Sequence, residues 1–105
     1  MVIRVLLACS SALLLTACGA GSKSSTPTTT PASAKSLFVS QCGACHRLEA
    51  AGTEGVAGPD LDRPPRGRAA VLQAIRAGPG TMPSDLVTGP DAERVAAYVA
   101  RVAGR

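Results

Sequence analysis

Five consecutive residues, Cys42-Gly43-Ala44-Cys45-His46, carry two thiols and an imidazole at positions i, i+3 and i+4. On one helical turn these positions share a face, so one short segment can present all three groups to a single object. Haem suits that arrangement: the thiols add to its two vinyl groups and the neighbouring imidazole reaches its iron. Three other chemistries compete. Structural zinc takes four ligands in a closed set, and beyond residue 35 the chain supplies only Cys42, Cys45, His46 and carboxylates. A thioredoxin-like pair belongs in a βαβ setting, which the sequence lacks. A Cys42–Cys45 disulfide would close a very small loop and stabilise little.

The second iron ligand is reached by elimination. His46 is the single histidine, and Met82 is the single methionine apart from the initiator Met1. The lysines, Lys23 and Lys35, precede or begin the first expected helix. Met82 is therefore the strongest side-chain candidate for a sixth ligand. It lies in Gly80-Thr81-Met82-Pro83, where Pro79 and Pro83 restrict the backbone, which suits a presented thioether better than a core methionine filling a gap.

Three helices must position these groups. The first runs from about Ala34 through Leu37, Phe38 and Gln41 into Cys42 and Cys45. The second, about Arg68 to Ala77, gathers Val71, Leu72 and Ile75 and stops at Gly78 followed by Pro79. The third follows Thr88-Gly89-Pro90-Asp91, which offers a Thr cap, a first-turn proline and an early acid. Its Ala92, Val95, Ala96, Val99, Val102 and Ala103 recur at helical spacing, with Tyr98 extending the face. No alternating strand pattern is present, and Gly52 to Pro65, with three glycines and three prolines, reads as loop.

The amino-terminal third is of another kind. Arg4 precedes a nearly uncharged apolar run ending in small residues, the pattern of an export signal over residues 1–17. Val5 to Ala17 is shorter than the ~20 residues of a spanning helix. Leu15-Thr16-Ala17-Cys18 fits a bacterial lipoprotein signal, in which Cys18 is diacylated and becomes the new amino terminus; two acyl chains give stable anchoring. The competing reading is an ordinary secretory signal with a chance cysteine. Residues 18–34 form a Ser/Thr/Pro-rich tether with no aromatic residue, reaching roughly 55 to 60 Å when fully extended. The folded domain is then residues 35–105, a size at which an apolar core alone rarely suffices and a cofactor is expected. Cys9 would be removed, Cys18 lipidated, and Cys42 and Cys45 consumed by haem, leaving no free thiol.

The formal net charge of the 105 residues is +4. From Ser36 onward eight arginines face seven acids, and no basic stripe with interleaved aromatics exists, which argues against nucleic acid as a partner.

Phe38, Cys42-Gly-Ala-Cys45-His46, Gly58-Pro59-Asp60-Leu61, Gly80-Thr81-Met82-Pro83 and Tyr98-Val99, in that order, resemble the small bacterial class I cytochromes c. The resemblance spans about Ala34 to Ala103. It implies an all-α, compact fold of three to four helices around one covalent haem, with the first and last helices crossing near Phe38 and Tyr98. It also implies that the Pro59 carbonyl accepts the other ring proton of His46, fixing its tautomer and strengthening it as a donor. Leu61, Val71, Leu72 and Ile75 would wall the haem from water. Arg63, Arg66 and Arg68 would either meet a haem propionate, dock an acidic partner or stand solvated. The absence of tryptophan and the Pro64-Pro65 pair depart from the family pattern in this region.

The expectation is a membrane-tethered, monomeric monohaem cytochrome c. It would be ligated by His46 and Met82, and would carry single electrons outside the cytoplasm between membrane complexes such as an oxidase or cytochrome c reductase. With both axial positions filled it is a carrier and not an enzyme. The alternatives are a haem sensor or peroxidase-like protein with a labile distal ligand, and a non-haem lipoprotein module whose CxxC is a disulfide or metal clip.

Overall fold

The computed structural model describes residues 32–105. The expected signal, Cys18 and the tether as far as residue 31 lie outside the described residues. Helix α1, Ala34–Gln41, is capped by Ser33, whose hydroxyl accepts the Ser36 amide, satisfying one of the unpaired donors of the first turn. Helix α2 is Arg68–Ala77 and ends on Gly78 with φ 57°. That left-handed conformation suits glycine, and a Cβ there would stand 2.6 Å from the Ser84 amide nitrogen. Helix α3, Gly89–Val102, starts at Thr88 with Pro90 in its first turn.

Two expectations need correction. Thr88 occupies the cap position, but its side chain makes no capping bond; its carbonyl accepts the Asp91 and Ala92 amides instead. The segment after His46 contains a small antiparallel ladder, β1 (Arg47–Leu48) with β2 (Thr53–Glu54), joined by a single 3-10 turn at Glu49–Ala51. Strands of two residues are too short to show alternation in the sequence. The fold remains all-α in class, as expected.

Helix α3 is the spine of the core. It packs against both α1 and α2 and buries Ala92, Val95, Ala96, Tyr98 and Val99. Phe38 of α1 is 1% exposed, with its ring centroid 6.3 Å from that of Tyr98 at a tilt of 55°, the inclined contact that aromatic quadrupoles favour. Glu93 of α3 accepts Arg68 at 2.6 Å and Arg76 at 3.3 Å, bracketing α2 from both ends. These are exposed pairs, each worth under ~1 kcal/mol.

Candidate functional site

The candidate haem-attachment residues, Cys42, Cys45 and His46, lie at the carboxyl end of α1. The helix stops at Gln41, and Cys42 is its cap residue. One further turn follows, because the Cys42 carbonyl accepts the amides of Cys45 at 3.1 Å and His46 at 2.9 Å. The regular helix therefore ends sooner than expected, yet Cys42, Cys45 and His46 still line one cleft. Cys42 is buried and Cys45 exposed. Burial, and next the neighbouring Cys45, push the Cys42 thiol above its usual range.

His46 is held on three sides. Its Nδ1 lies 2.9 Å from the Pro59 carbonyl oxygen and donates to it, which leaves Nε2 free as a metal donor. The Thr53 hydroxyl donates to the His46 carbonyl at 2.9 Å and accepts the Leu48 amide at 3.0 Å, so β2 fixes the backbone under the imidazole. The loop carrying Pro59 is tied to the same segment, the Gly58 amide donating to the Cys45 carbonyl at 2.8 Å and the Leu61 amide to that of Arg47 at 3.1 Å. Gly58 runs so close to the ring that a Cβ there would stand 2.4 Å from His46 Cε1. This proximity, not a turn conformation, is what requires glycine.

The opposite wall comes from the segment between α2 and α3. The Met82 amide donates to the Pro79 carbonyl at 3.1 Å, making a tight turn, and Met82, half-buried, faces the same cleft as His46. Leu61, Val71 and Ile75 complete the apolar lining, as expected. Leu72 does not belong to it: one residue on from Val71, it is turned away by the helical rotation and faces a shallow outer groove with Ala69, Gln73 and Arg76.

The arginine cluster separates. Arg68 is bound to Glu93. Arg63 does not border the cleft and lies near enough to Asp62 to help hold its carboxyl low. Arg66 alone of the three lines the cleft.

Sequence reasoning missed Thr53 and Asp62. No motif marks a threonine that bridges two backbone groups. Asp62 accepts the Glu49 amide at 2.9 Å and the Gly104 amide at 2.8 Å, joining the 3-10 turn to the carboxyl end of the chain. These two bonds, Gly104 first, hold its carboxyl below the usual aspartate range.

The cleft has a volume of about 570 Å³, within the ~300–1,000 Å³ of small-molecule sites. Its mostly apolar walls, two thiols on one side, and an imidazole and a thioether facing the same space fit a covalently attached haem. Among the described residues no group of three or more His, Cys, Asp or Glu stands ready to hold a metal ion by itself.

Comparison with known proteins agrees. The family described as cytochrome c oxidase, cbb3-type, subunit III matches residues 29–99. The crystal structure of the c-type cytochrome SorU from Sinorhizobium meliloti superposes with a TM-score of 0.65 at 35% identity, covering 69% of this chain and 88% of that one. No curated protein matches the chain. With one CxxCH motif in the sequence and the family matched over most of its length, the chain belongs to this cytochrome c family and is a small bacterial monohaem cytochrome c.

Proposed function

We propose that the protein is a single-electron carrier tethered to a bacterial membrane by a lipid on Cys18, with His46 and Met82 as axial ligands. Its working place is outside the cytoplasm, between membrane redox complexes such as an oxidase and a cytochrome c reductase. The observation that carries this reading is the pairing of His46 and Met82 across one cleft whose edge bears both thiols. The haem, when attached, supplies reversible one-electron chemistry at its iron. The chain's own residues do the rest. Cys42 and Cys45 fix the ring edge, and Pro59 keeps His46 in the tautomer that donates through Nε2. Leu61, Val71 and Ile75 would exclude water, and Arg66, which lines the cleft, would be the cation available to a propionate. Thioether ligation favours the reduced iron and raises the potential, which suits donation toward a terminal acceptor. If His46 and Met82 both held the iron, no position would be left open to substrate, which favours a carrier over an enzyme. The match to an oxidase subunit family supports a respiratory partner, and the lipid anchor would raise the local concentration of the domain near such complexes.

An absorption spectrum of the exported holoprotein, oxidised, reduced and reduced under carbon monoxide, tests the reading. Covalent haem with the weak far-red sulfur-to-iron band and no response to carbon monoxide is expected. A carbon monoxide shift in the wild type would replace the carrier by the sensor or peroxidase reading. Met82→Ala should bind carbon monoxide and lower the midpoint potential, and an unchanged potential rejects Met82 as ligand.

A further inference from the structure

Among the described residues Thr53 is the only buried aliphatic side chain that carries a hydroxyl, amide or charge, at 8% exposure. A buried hydroxyl is tolerated when it is paired, and this one is paired twice, both times with the segment that begins at His46. The Leu48 amide can only donate, so Oγ1 is the acceptor of that 3.0 Å bond. The one hydroxyl proton then goes to the His46 carbonyl at 2.9 Å. These two backbone groups flank Arg47, so the pair of bonds pins the chain immediately after the imidazole residue.

The methyl group of the same side chain meets the motif at a second point. A Cβ on Gly43 would stand 2.6 Å from Thr53 Cγ2, so the methyl fills the space left by the glycine between the two cysteines. Thr53 is not among the residues that line the cleft. It therefore acts on the site only through the motif, by its methyl at Gly43 and its hydroxyl at His46.

Resting on the reading of His46 as an axial ligand, we propose that Thr53 is a positioning residue: by holding the His46 carbonyl, its hydroxyl keeps the imidazole on Pro59 and so sets the midpoint potential. The His46 ring is restrained at two places, at Nδ1 by the Pro59 carbonyl at 2.9 Å and at its own backbone by Thr53. A hydrogen bond weakens as it lengthens and departs from linearity. A His46 carbonyl without its donor lets the backbone shift, and the ring moves off Pro59 with it. An imidazole that shares its Nδ1 proton less with an acceptor is a weaker donor. A weaker donor stabilises the oxidised iron less, so the potential rises.

Two substitutions separate the hydroxyl from the methyl: T53V keeps the shape and loses the hydroxyl, and T53S keeps the hydroxyl and loses the methyl. Midpoint potentials of the holoproteins, read by spectroelectrochemical titration, test the proposal. In T53V the ratio of reduced to oxidised protein at a fixed applied potential should rise about threefold or more, the scale of one net hydrogen bond. The far-red sulfur-to-iron band should remain, which keeps the change on the His46 side. T53S should have the wild-type potential but melt at a lower temperature, because a packed methyl is gone. An unchanged or lower potential in T53V, loss of its far-red band, or a shift in T53S as large as that in T53V overturns the positioning role and leaves the carrier reading intact. If T53V loads no haem, T53A is expected to show the same rise. Failure of both to load, with T53S loading normally, assigns the hydroxyl to folding alone and likewise overturns the role. A wild type without covalent haem, or with no reversible oxidation and reduction, overturns the carrier reading itself, and the positioning role with it.

Discussion

At the scale of single residues, the geometry around His46 sets the tightest tolerances in the molecule. Gly58→Ala would bring a methyl group to 2.4 Å from the ring, closer than carbon atoms can stand, so either the ring or the Pro59 loop must yield. The 2.9 Å bond from Nδ1 to the Pro59 carbonyl is then strained or lost. The expected result is reduced haem loading on export and a lower melting temperature in whatever holoprotein forms, read by the haem absorbance per polypeptide and by thermal unfolding. Normal loading and unchanged melting would mean that the ring and loop part freely. That Cys42, Cys45, His46 and Met82 share one cleft could be read from the sequence, because their types are rare in the chain and their chemistry is specific. Thr53 and the closeness of Gly58 could not. A hydroxyl that joins two backbone groups, or an absent Cβ that admits a ring, is defined by neighbours that only the fold brings near.

At the scale of elements, helices announced themselves and the ladder did not. Helix α2 carried both its apolar face and its glycine stop, and α3 repeated apolar residues at helical spacing over its whole length, so periodicity located them. The β1–β2 ladder pairs only two residues with two and is buttressed by the Thr53 hydroxyl on the Leu48 amide, contacts that periodicity cannot register. Leu72 was misplaced for a related reason: an apolar stripe three residues wide has edges, and the sequence does not say which edge meets the cleft. Asp62 offers a test at this scale, since its carboxylate binds both the 3-10 turn and the segment after α3. Its folded pKa lies below the ordinary value, so its contribution is complete above about pH 4 and is lost as the pH falls through the folded pKa. Asp62→Ala should cost about 1–2 kcal/mol near neutrality, the bonds being exposed, and the gap to wild type should close in acid. A gap that persists at about pH 2 would assign the loss to packing and not to the ionised carboxylate.

At the scale of the whole molecule, a domain of this size has little core to spare. The cleft lies beside buried Phe38, Val95 and Val99, all of which border it, so the ring that fills it also completes the interior. The double variant Cys42→Ser, Cys45→Ser, unable to form either thioether, should therefore unfold at a much lower temperature than the holoprotein, as followed by circular dichroism. An apoprotein melting within a few degrees of it would show a core sufficient on its own. The tether leads to a separate expectation. In the proposed reading membrane attachment falls to the lipid on Cys18. Cys18→Ser should move the haem signal from the membrane to the soluble fraction without altering its spectrum, and retention at the membrane would reject the lipid as the anchor.

The single turn that ends α1 also bears on the order of events in the life of the chain. Both thiols and the imidazole sit within five consecutive residues, directly after a helix whose buried side chain, Phe38, meets its partner ring on the last helix of the chain. In the proposed reading, a polypeptide exported amino end first would present the whole attachment unit while the residues that cover Phe38, and Met82 with them, were still behind it. On that reading covalent loading would come before the last helix closes over Phe38, and the attached ring would be in place for the later helices to pack against.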